Sequence, residues 1–140
     1  MTLDEVLPRL FPAGYVIERG PHGTMSGGGE SDGSGPVALI GITEGTPLGN
    51  EGALMLAAHV LAIVAKGDRL PIVVLVDTSS QNMSRRDELL GLNEYLAHLY
   101  KCLVFAASQG HRTVAVLYGT AAAGALIATS LSTLTFVALV

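Results

Sequence analysis

The sequence predicts an α/β protein with a mainly parallel sheet and flanking helices. Two continuous apolar runs, VALIGIT at 37–43 and LPIVVLV at 70–76, are typical of strands in the middle of a sheet. Between them, residues 51–67 have apolar side chains at helical spacing. Because the connections are long enough to cross over a sheet, successive strands are expected to run parallel.

The second half of the chain continues this alternation. Residues 84–110 predict one long helix, with Ser84 as its N-cap and Gly110 just beyond its end. A strand is predicted at 113–118, then a helix at 120–132 and a last strand at 133–140.

The first 36 residues differ from the rest in composition. Residues 3–10 predict a short amphipathic helix. Residues 20–36 are rich in glycine and serine with almost nothing to bury, so they predict a flexible loop, and their spacing fits no phosphate-binding motif. We therefore expect an N-terminal segment over 1–36 and an α/β domain over 37–140.

Composition narrows the classes of function. The formal net charge is −4 and only 14% of residues are charged, so no basic surface is expected to bind nucleic acid. A single cysteine, Cys102, excludes an internal disulfide, and no set of His, Cys, Asp and Glu has the spacing of metal ligands, so no metal is expected. The N-terminus lacks the apolar core of a signal peptide, which favours a cytoplasmic protein.

The segment 113–140 has no charged residue and is long enough to raise the question of a transmembrane helix. Gly119 and Gly124 interrupt it, and Thr and Ser recur along it. Its ends are rich in β-branched residues and its middle in alanine. This pattern favours a strand, a helix and a strand in a protein core, so no membrane contact is expected.

Two tight turns, Asp77–Gln81 and Gly119–Gly124, each follow a predicted strand and precede a helix. The first N–H groups of a helix have no partner within it, and the helix dipole adds positive potential. Such groups can stabilise the oxygen of an acyl thioester or its enolate, with roughly 3 kcal/mol from each preorganised donor. Tight packing alone also explains small residues at a strand–helix turn, so spacing leaves both interpretations open. No serine lies in a nucleophile-elbow pattern.

Two motifs resemble a known family. The first comprises Val76–Asp77, the turn Ser79–Gln81 and Ser84–Glu88, where the family has Pro-Ser-Gln or Pro-Gly-Gln and then Gly-Arg-Arg-Glu-Glu. The second is Gly119–Ala125, where the family has Gly-x-Ala-x-Ser-Gly-Ala/Gly. These motifs are similar to those of the gamma subunit of malonate decarboxylase, in the carboxyltransferase branch of the crotonase-like superfamily, over roughly residues 37–140.

The resemblance implies a crotonase/ClpP-like fold with a repeated β-β-α core. It implies a carboxy-lyase or carboxyltransferase subunit that works with a beta subunit on a malonyl thioester. The thioester is held on the prosthetic arm of an acyl carrier protein, or on coenzyme A, and no tightly bound cofactor is implied. We therefore expect a hetero-oligomer with the beta subunit and the acyl carrier protein. Since the family continues with a further helical segment, the chain is expected to be truncated at its C-terminus or a degenerate copy, and to self-associate when alone.

By the same resemblance, the oxyanion donors are the backbone N–H groups of Ser80 and Gln81 in the first turn and of Ala123 and Gly124 in the second. Ala123 stands where the family has Ser, which keeps the backbone donor and removes a hydroxyl. The resemblance therefore places the chemistry on the backbone.

Arg85 and Arg86 match the Arg-Arg pair of the family and open the predicted helix, where positive charge opposes the dipole. Their candidate role, with Gly119, is binding of the partner subunit or of a carrier phosphate. A solvated helix start is the alternative.

Three other functions stay open. Another crotonase-like acyl-CoA enzyme, a hydratase or isomerase, needs a carboxylate over the substrate, but Asp87, Glu88 and Glu94 are expected on the helix surface. A carboxyltransferase subunit of a biotin-dependent system passes the carboxyl group to biotin, and a non-catalytic subunit serves assembly alone.

Overall fold

The computed structural model describes residues 1–139, which form one six-stranded sheet with helices on both faces. The strands are β1 (Tyr15–Arg19), β2 (Thr24–Ser31), β3 (Gly35–Gly45), β4 (Ile72–Thr78), β5 (Thr113–Leu117) and β6 (Thr135–Ala138). The helices are α1 (Leu3–Leu10), α2 (Asn50–Ala65), α3 (Arg85–Leu89), α4 (Leu92–Ser108) and α5 (Ala123–Leu126). A 3₁₀ turn spans Pro21–Gly23, and α5 continues into a π-helical turn at Ile127–Leu131.

The strands lie side by side in chain order. β1, β2 and β3 pair antiparallel, whereas β3 to β6 are parallel, which confirms the predicted mainly parallel α/β sheet. Val76 near the end of β4 lies opposite Leu117 at the end of β5. The turns that follow these two strands therefore start next to each other.

Side chains that alternate along each strand build two apolar layers. One layer packs under α2, α4 and α5 and includes Ile40, Val74 and Ala115. The other packs under α1 and includes Leu39 and Val116.

The prediction of a flexible loop at 20–36 is wrong. Thr24–Ser31 is a strand that pairs with β3 along its whole length. Glycine serves close packing here, because a Cβ on Gly29 would lie 2.9 Å from the Phe11 ring. The sequence also does not predict β1, since only Ile17 among its residues is even half-buried.

The predicted helix at 84–110 is two helices. α3 ends at Leu89 and α4 begins at Leu92, because Gly91 between them has a left-handed φ of +92°. The separate α3 holds the residues after the first turn close to the N-terminus of α2.

The uncharged C-terminal segment forms β5, a helical segment and β6 within residues 1–139, which confirms the predicted strand, helix and strand. The helix is shorter than predicted, because it begins only at Ala123. Within residues 1–139, no helix combines the length and the apolar composition that crossing a membrane requires.

Candidate functional site

The two predicted turns meet at the carboxyl ends of β4 and β5. The N–H of Thr78 donates to the carbonyl of Thr120 at 2.7 Å. The N–H of Thr120 donates to Asp77 Oδ1 at 3.1 Å, and the N–H of Gly124 donates to Gln81 Oε1 at 3.0 Å. Both ends of the second turn are thus bonded to side chains of the first, and the predicted donor positions lie in one place.

The backbone of the first turn is bonded to the chain that follows β3. Leu48 donates its N–H to the carbonyl of Ser80 at 2.9 Å and accepts the N–H of Asn82 at 2.7 Å. Gln81 lies between those two residues and pairs with Leu48 as a parallel bridge. In such a bridge the N–H of the central residue points away from the paired strand, so the N–H of Gln81 is not used in the pairing with Leu48.

A buried hydroxyl stabilises the same turn. Thr78 Oγ1 donates to the carbonyl of Thr46 at 2.7 Å and lies 3.1 Å from the carbonyl of Ser80. Thr78 is fully buried. The first turn is therefore fixed from inside the protein.

The second turn contains a residue with an unusual backbone conformation. Ala123 has φ of +50°, in the left-handed region, which costs a non-glycine residue roughly 1–2 kcal/mol. Gly119 has no strain of that kind, but a Cβ there would overlap the Asp77 carboxylate. A Cβ on Gly124 would lie 3.0 Å from Leu96 Cδ1. Glycine at 119 is thus required where the two turns approach each other, and glycine at 124 leaves room for Leu96 of α4.

The four predicted donors differ in their occupancy. Within residues 1–139, the N–H groups of Ser80, Gln81 and Ala123 donate to no protein acceptor. The N–H of Gly124 is already bonded to the carboxamide oxygen of Gln81. Ala123 is exposed and the other three residues are half-buried, so none of the four residues is enclosed in the core. The sequence does not predict the bond between Gln81 and Gly124.

The two arginines after the first turn have different environments. Arg86 forms ion pairs with Glu51 at 2.6 Å and with Asp87 at 2.9 Å. Its guanidinium hydrogen bond holds the pKa of Glu51 below the ordinary value. Arg85 is exposed and forms no ion pair within residues 1–139.

The expectation that Asp87 lies on the helix surface is wrong. Its side chain is only 2% exposed, and Oδ2 accepts the N–H of Asn50 at the start of α2, at 3.1 Å. Gly49 makes room for this contact, because a Cβ there would lie 2.5 Å from Asp87 Oδ2. Asp87 therefore accepts a hydrogen bond from the N-terminus of α2 and is not positioned over the two turns. Glu88 and Glu94 are exposed, as predicted.

A cavity of about 630 Å³ lies elsewhere, on the α1 face of the sheet. Its walls include Phe11, Val73 and Val114, with Pro71 and Arg112 at the amino ends of β4 and β5. None of its lining residues among 1–139 belongs to either turn. Within the same residues, no three His, Cys, Asp or Glu side chains are grouped so as to hold a metal ion.

The sequence profile of the malonate decarboxylase gamma subunit family matches residues 43–140. The chain belongs to this family. The match includes both turns and confirms the resemblance carried by their motifs. No curated protein matches the sequence.

Solved structures agree with the family. The Pseudomonas malonate decarboxylase MdcD-MdcE hetero-dimer matches with a TM-score of 0.76 and 26% identity, over 84% of this chain and 52% of that one. A Pseudomonas malonate decarboxylase hetero-tetramer in complex with malonate matches with a TM-score of 0.73 and 25% identity, over 83% and 50%. The chain thus spans about half the length of the chains it matches.

More distant structures share the fold alone. The beta subunit of Pseudomonas aeruginosa geranyl-CoA carboxylase matches with a TM-score of 0.64 and 16% identity, over 82% of this chain and 22% of that one. The match shows that this chain shares the fold of a carboxylase subunit, and the predicted fold class is confirmed.

Proposed function

We propose that the chain works with a beta subunit of the same fold to decarboxylate a malonyl thioester, and that the N–H groups of Ser80, Gln81, Ala123 and Gly124 stabilise the enolate oxygen. The observation that supports this most strongly is the meeting of the two turns, joined at Asp77–Thr120 and Gln81–Gly124.

Decarboxylation suits a site built from backbone donors. When the carbon–carbon bond to the carboxylate breaks, CO₂ leaves, and the electron pair of that bond passes into the thioester and places negative charge on the acyl oxygen. Donors held in place before the reaction stabilise this charge more than they stabilise the neutral thioester, which lowers the barrier. A proton then converts the enolate to the acetyl thioester. The left-handed backbone at Ala123 supports this assignment, since strain of this kind is concentrated at functional sites.

The partner and the carrier belong to the same proposal. The matched Pseudomonas chains were solved as an MdcD-MdcE hetero-dimer and as a hetero-tetramer with malonate. We assign the carrier phosphate, on an acyl carrier protein arm or on coenzyme A, to Arg85, because Arg86 is already paired with Glu51 and Asp87. The edge strand β6 has four exposed residues, which favours association with another chain.

A mixed-subunit assay tests the proposal. The chain is combined with a malonate decarboxylase beta subunit, and acetyl thioester formation from malonyl thioester is measured with each protein alone and with both. Turnover that requires both proteins is expected. Hydration or isomerisation of an enoyl-CoA by the chain alone would instead indicate a hydratase or isomerase. Carboxyl transfer to biotin would indicate a biotin-dependent system. Turnover that requires this chain but is unchanged in an Ala123→Pro complex would indicate an assembly subunit.

A further inference from the structure

The side chain of Gln81 occupies one of the donors that the proposed function requires. Its carboxamide oxygen lies 3.0 Å from the N–H of Gly124. Gly124 is in the first turn of a helical segment that runs from Ala123 through Leu131. An amide carbonyl oxygen has the hybridisation and hydrogen-bonding capacity of a thioester carbonyl oxygen. The contact therefore imitates the one an acyl group would make.

We propose that Gln81 covers the Gly124 N–H in the unliganded protein and gives it up to the acyl oxygen of the thioester. This rests on the proposed function. When a neutral thioester carbonyl replaces the Gln81 carbonyl at the Gly124 N–H, one neutral hydrogen bond replaces another. The free energy of binding therefore changes little. Exchange for an enolate oxygen gains a charge-assisted bond, which is roughly twice as strong. The cost of releasing Gln81 is the same for both oxygens, so Gln81 lowers affinity for the thioester and for the enolate equally, and the preference for the enolate comes from its charge.

The local structure allows the side chain to leave while the turn stays in place. The backbone on both sides of Gln81 is bonded to Leu48, and this pairing does not involve the carboxamide. Gln81 is half-buried, so its side chain has access to solvent. Gly124 presents no Cβ, and one built there would lie 3.5 Å from Gln81 Oε1. An incoming acyl oxygen can therefore replace Oε1 without a rearrangement of either backbone.

A fixed brace between the two turns is the competing role for the same bond. The two roles predict opposite effects of removing the acceptor. A displaceable cover predicts tighter binding of an acyl group once the Gly124 N–H is free. A brace predicts weaker binding, because the second turn loses its position.

Two variants separate these roles. Gln81→Met keeps the length of the side chain and removes the acceptor, whereas Gln81→Glu keeps an acceptor and adds charge. Gln109→Met is the matched control, because it makes the same chemical change at an exposed helix end. Each variant is studied in complex with the beta subunit, and the dissociation constants of acetyl-CoA and free coenzyme A are measured. Their ratio isolates the contribution of the acyl oxygen.

We expect Gln81→Met to shift the ratio about fivefold in favour of acetyl-CoA, the factor that corresponds to one neutral hydrogen bond. Gln81→Glu is expected to shift it the other way, and Gln109→Met to leave it unchanged. Amide hydrogen exchange at Gly124, measured by NMR, should become faster in Gln81→Met and not in Gln81→Glu.

Three results would overturn the proposal. A ratio that falls in Gln81→Met, or that is retained in Gln81→Glu, assigns Gln81 as a brace. If the wild-type complex prefers acetyl-CoA and Gln81→Met does not change that preference, Gln81 is not a cover, and the proposed function is unaffected. If neither complex distinguishes acetyl-CoA from coenzyme A, the oxyanion assignment fails together with the cover. Should Gln81→Met not assemble, the Gln81→Glu ratio still decides between the two roles.

Discussion

The two turns of the site differ in how their backbones are held. The first, Asp77–Gln81, is bonded to Leu48 and Thr46 in the chain after β3, and its Thr78 hydroxyl is fully buried. The second, Gly119–Gly124, is bonded at both ends to side chains of the first turn. The first turn is therefore a preformed element, whereas the second takes its position from the first.

This asymmetry has a consequence for the proposed donors. The N–H groups of Ser80 and Gln81, which have no protein acceptor among residues 1–139, belong to the turn that is held by buried contacts. The strained Ala123 and the occupied Gly124 belong to the turn that depends on its neighbour. Changes in the first turn should therefore reach the second, while changes in the second turn should stay local. The following substitutions test this, from the largest expected effect to the smallest.

Ala123→Pro should cause the largest loss. Proline removes the N–H and cannot adopt the φ of +50° found here. We expect decarboxylation by the complex to fall by about 100-fold or more, the loss typical of one oxyanion donor. The rate is measured on complexes isolated after assembly, and Ala123→Gly, which keeps the N–H, is the control. Full activity in an assembled Ala123→Pro complex would show that this donor is not used.

Gly119→Ala should destabilise the protein by about 2–3 kcal/mol, because the new Cβ overlaps the Asp77 carboxylate. Denaturant unfolding measures the change. In the double variant Asp77→Ala/Gly119→Ala the overlap with the carboxylate is gone and only the contact with the Cβ of residue 77, at 2.8 Å, remains. The combined cost should therefore be smaller than the sum of the single costs. Additive costs would mean that the two residues do not constrain each other.

Thr78→Val should lower the free energy of unfolding by about 1–2 kcal/mol, since the fully buried Thr78 hydroxyl is lost and the carbonyl of the half-buried Thr46 loses its donor. Thr120→Val is the matched change in the second turn, where the hydroxyl is exposed and its bonds are 3.2 and 3.4 Å long. It should cost about 0.5 kcal/mol or less. Equal costs would contradict the difference between the two turns.

Ala123→Gly should raise the free energy of unfolding by about 0.5 kcal/mol, because relief of the left-handed strain exceeds the entropy cost of glycine. Ala122→Gly is the control, since φ at Ala122 is −147° and any residue adopts that conformation. It should destabilise by about 0.5–1 kcal/mol. Destabilisation by both changes would indicate that Ala123 is not strained.

Glu51→Gln should have the smallest effect, and one that depends on pH. The Arg86 hydrogen bond lowers the pKa of Glu51, so its carboxylate contributes stability above the unfolded pKa, ordinarily 4.5. That contribution is lost as the pH falls through the lowered pKa. Unfolding of both proteins is therefore compared from pH 7 downward, and the difference between them should shrink once the pH falls below the unfolded pKa. A difference that does not shrink as the pH falls would exclude the Glu51 charge as its cause.

Much of the fold follows from local pattern. The apolar runs at 37–43 and 70–76 predict β3 and β4, because a strand buried on both faces needs an unbroken apolar segment. The positions of the two turns follow from where β4 and the strand predicted at 113–118 end. β2 could not be predicted in this way, because the glycines that look flexible in sequence are packed against Phe11 and β1.

The sequence by itself determined the mainly parallel α/β class, the two turns and the family, since these depend on periodicity and on short motifs. Only the tertiary structure decided the bond between Gln81 and Gly124, the left-handed Ala123 and the burial of Asp87. The physical reason is that these contacts join residues far apart in the sequence. Gln81 and Gly124 are 43 residues apart, and Asp87 and Asn50 are 37 apart. Hydrogen bonds across such separations form only when the sheet brings the ends of its strands together.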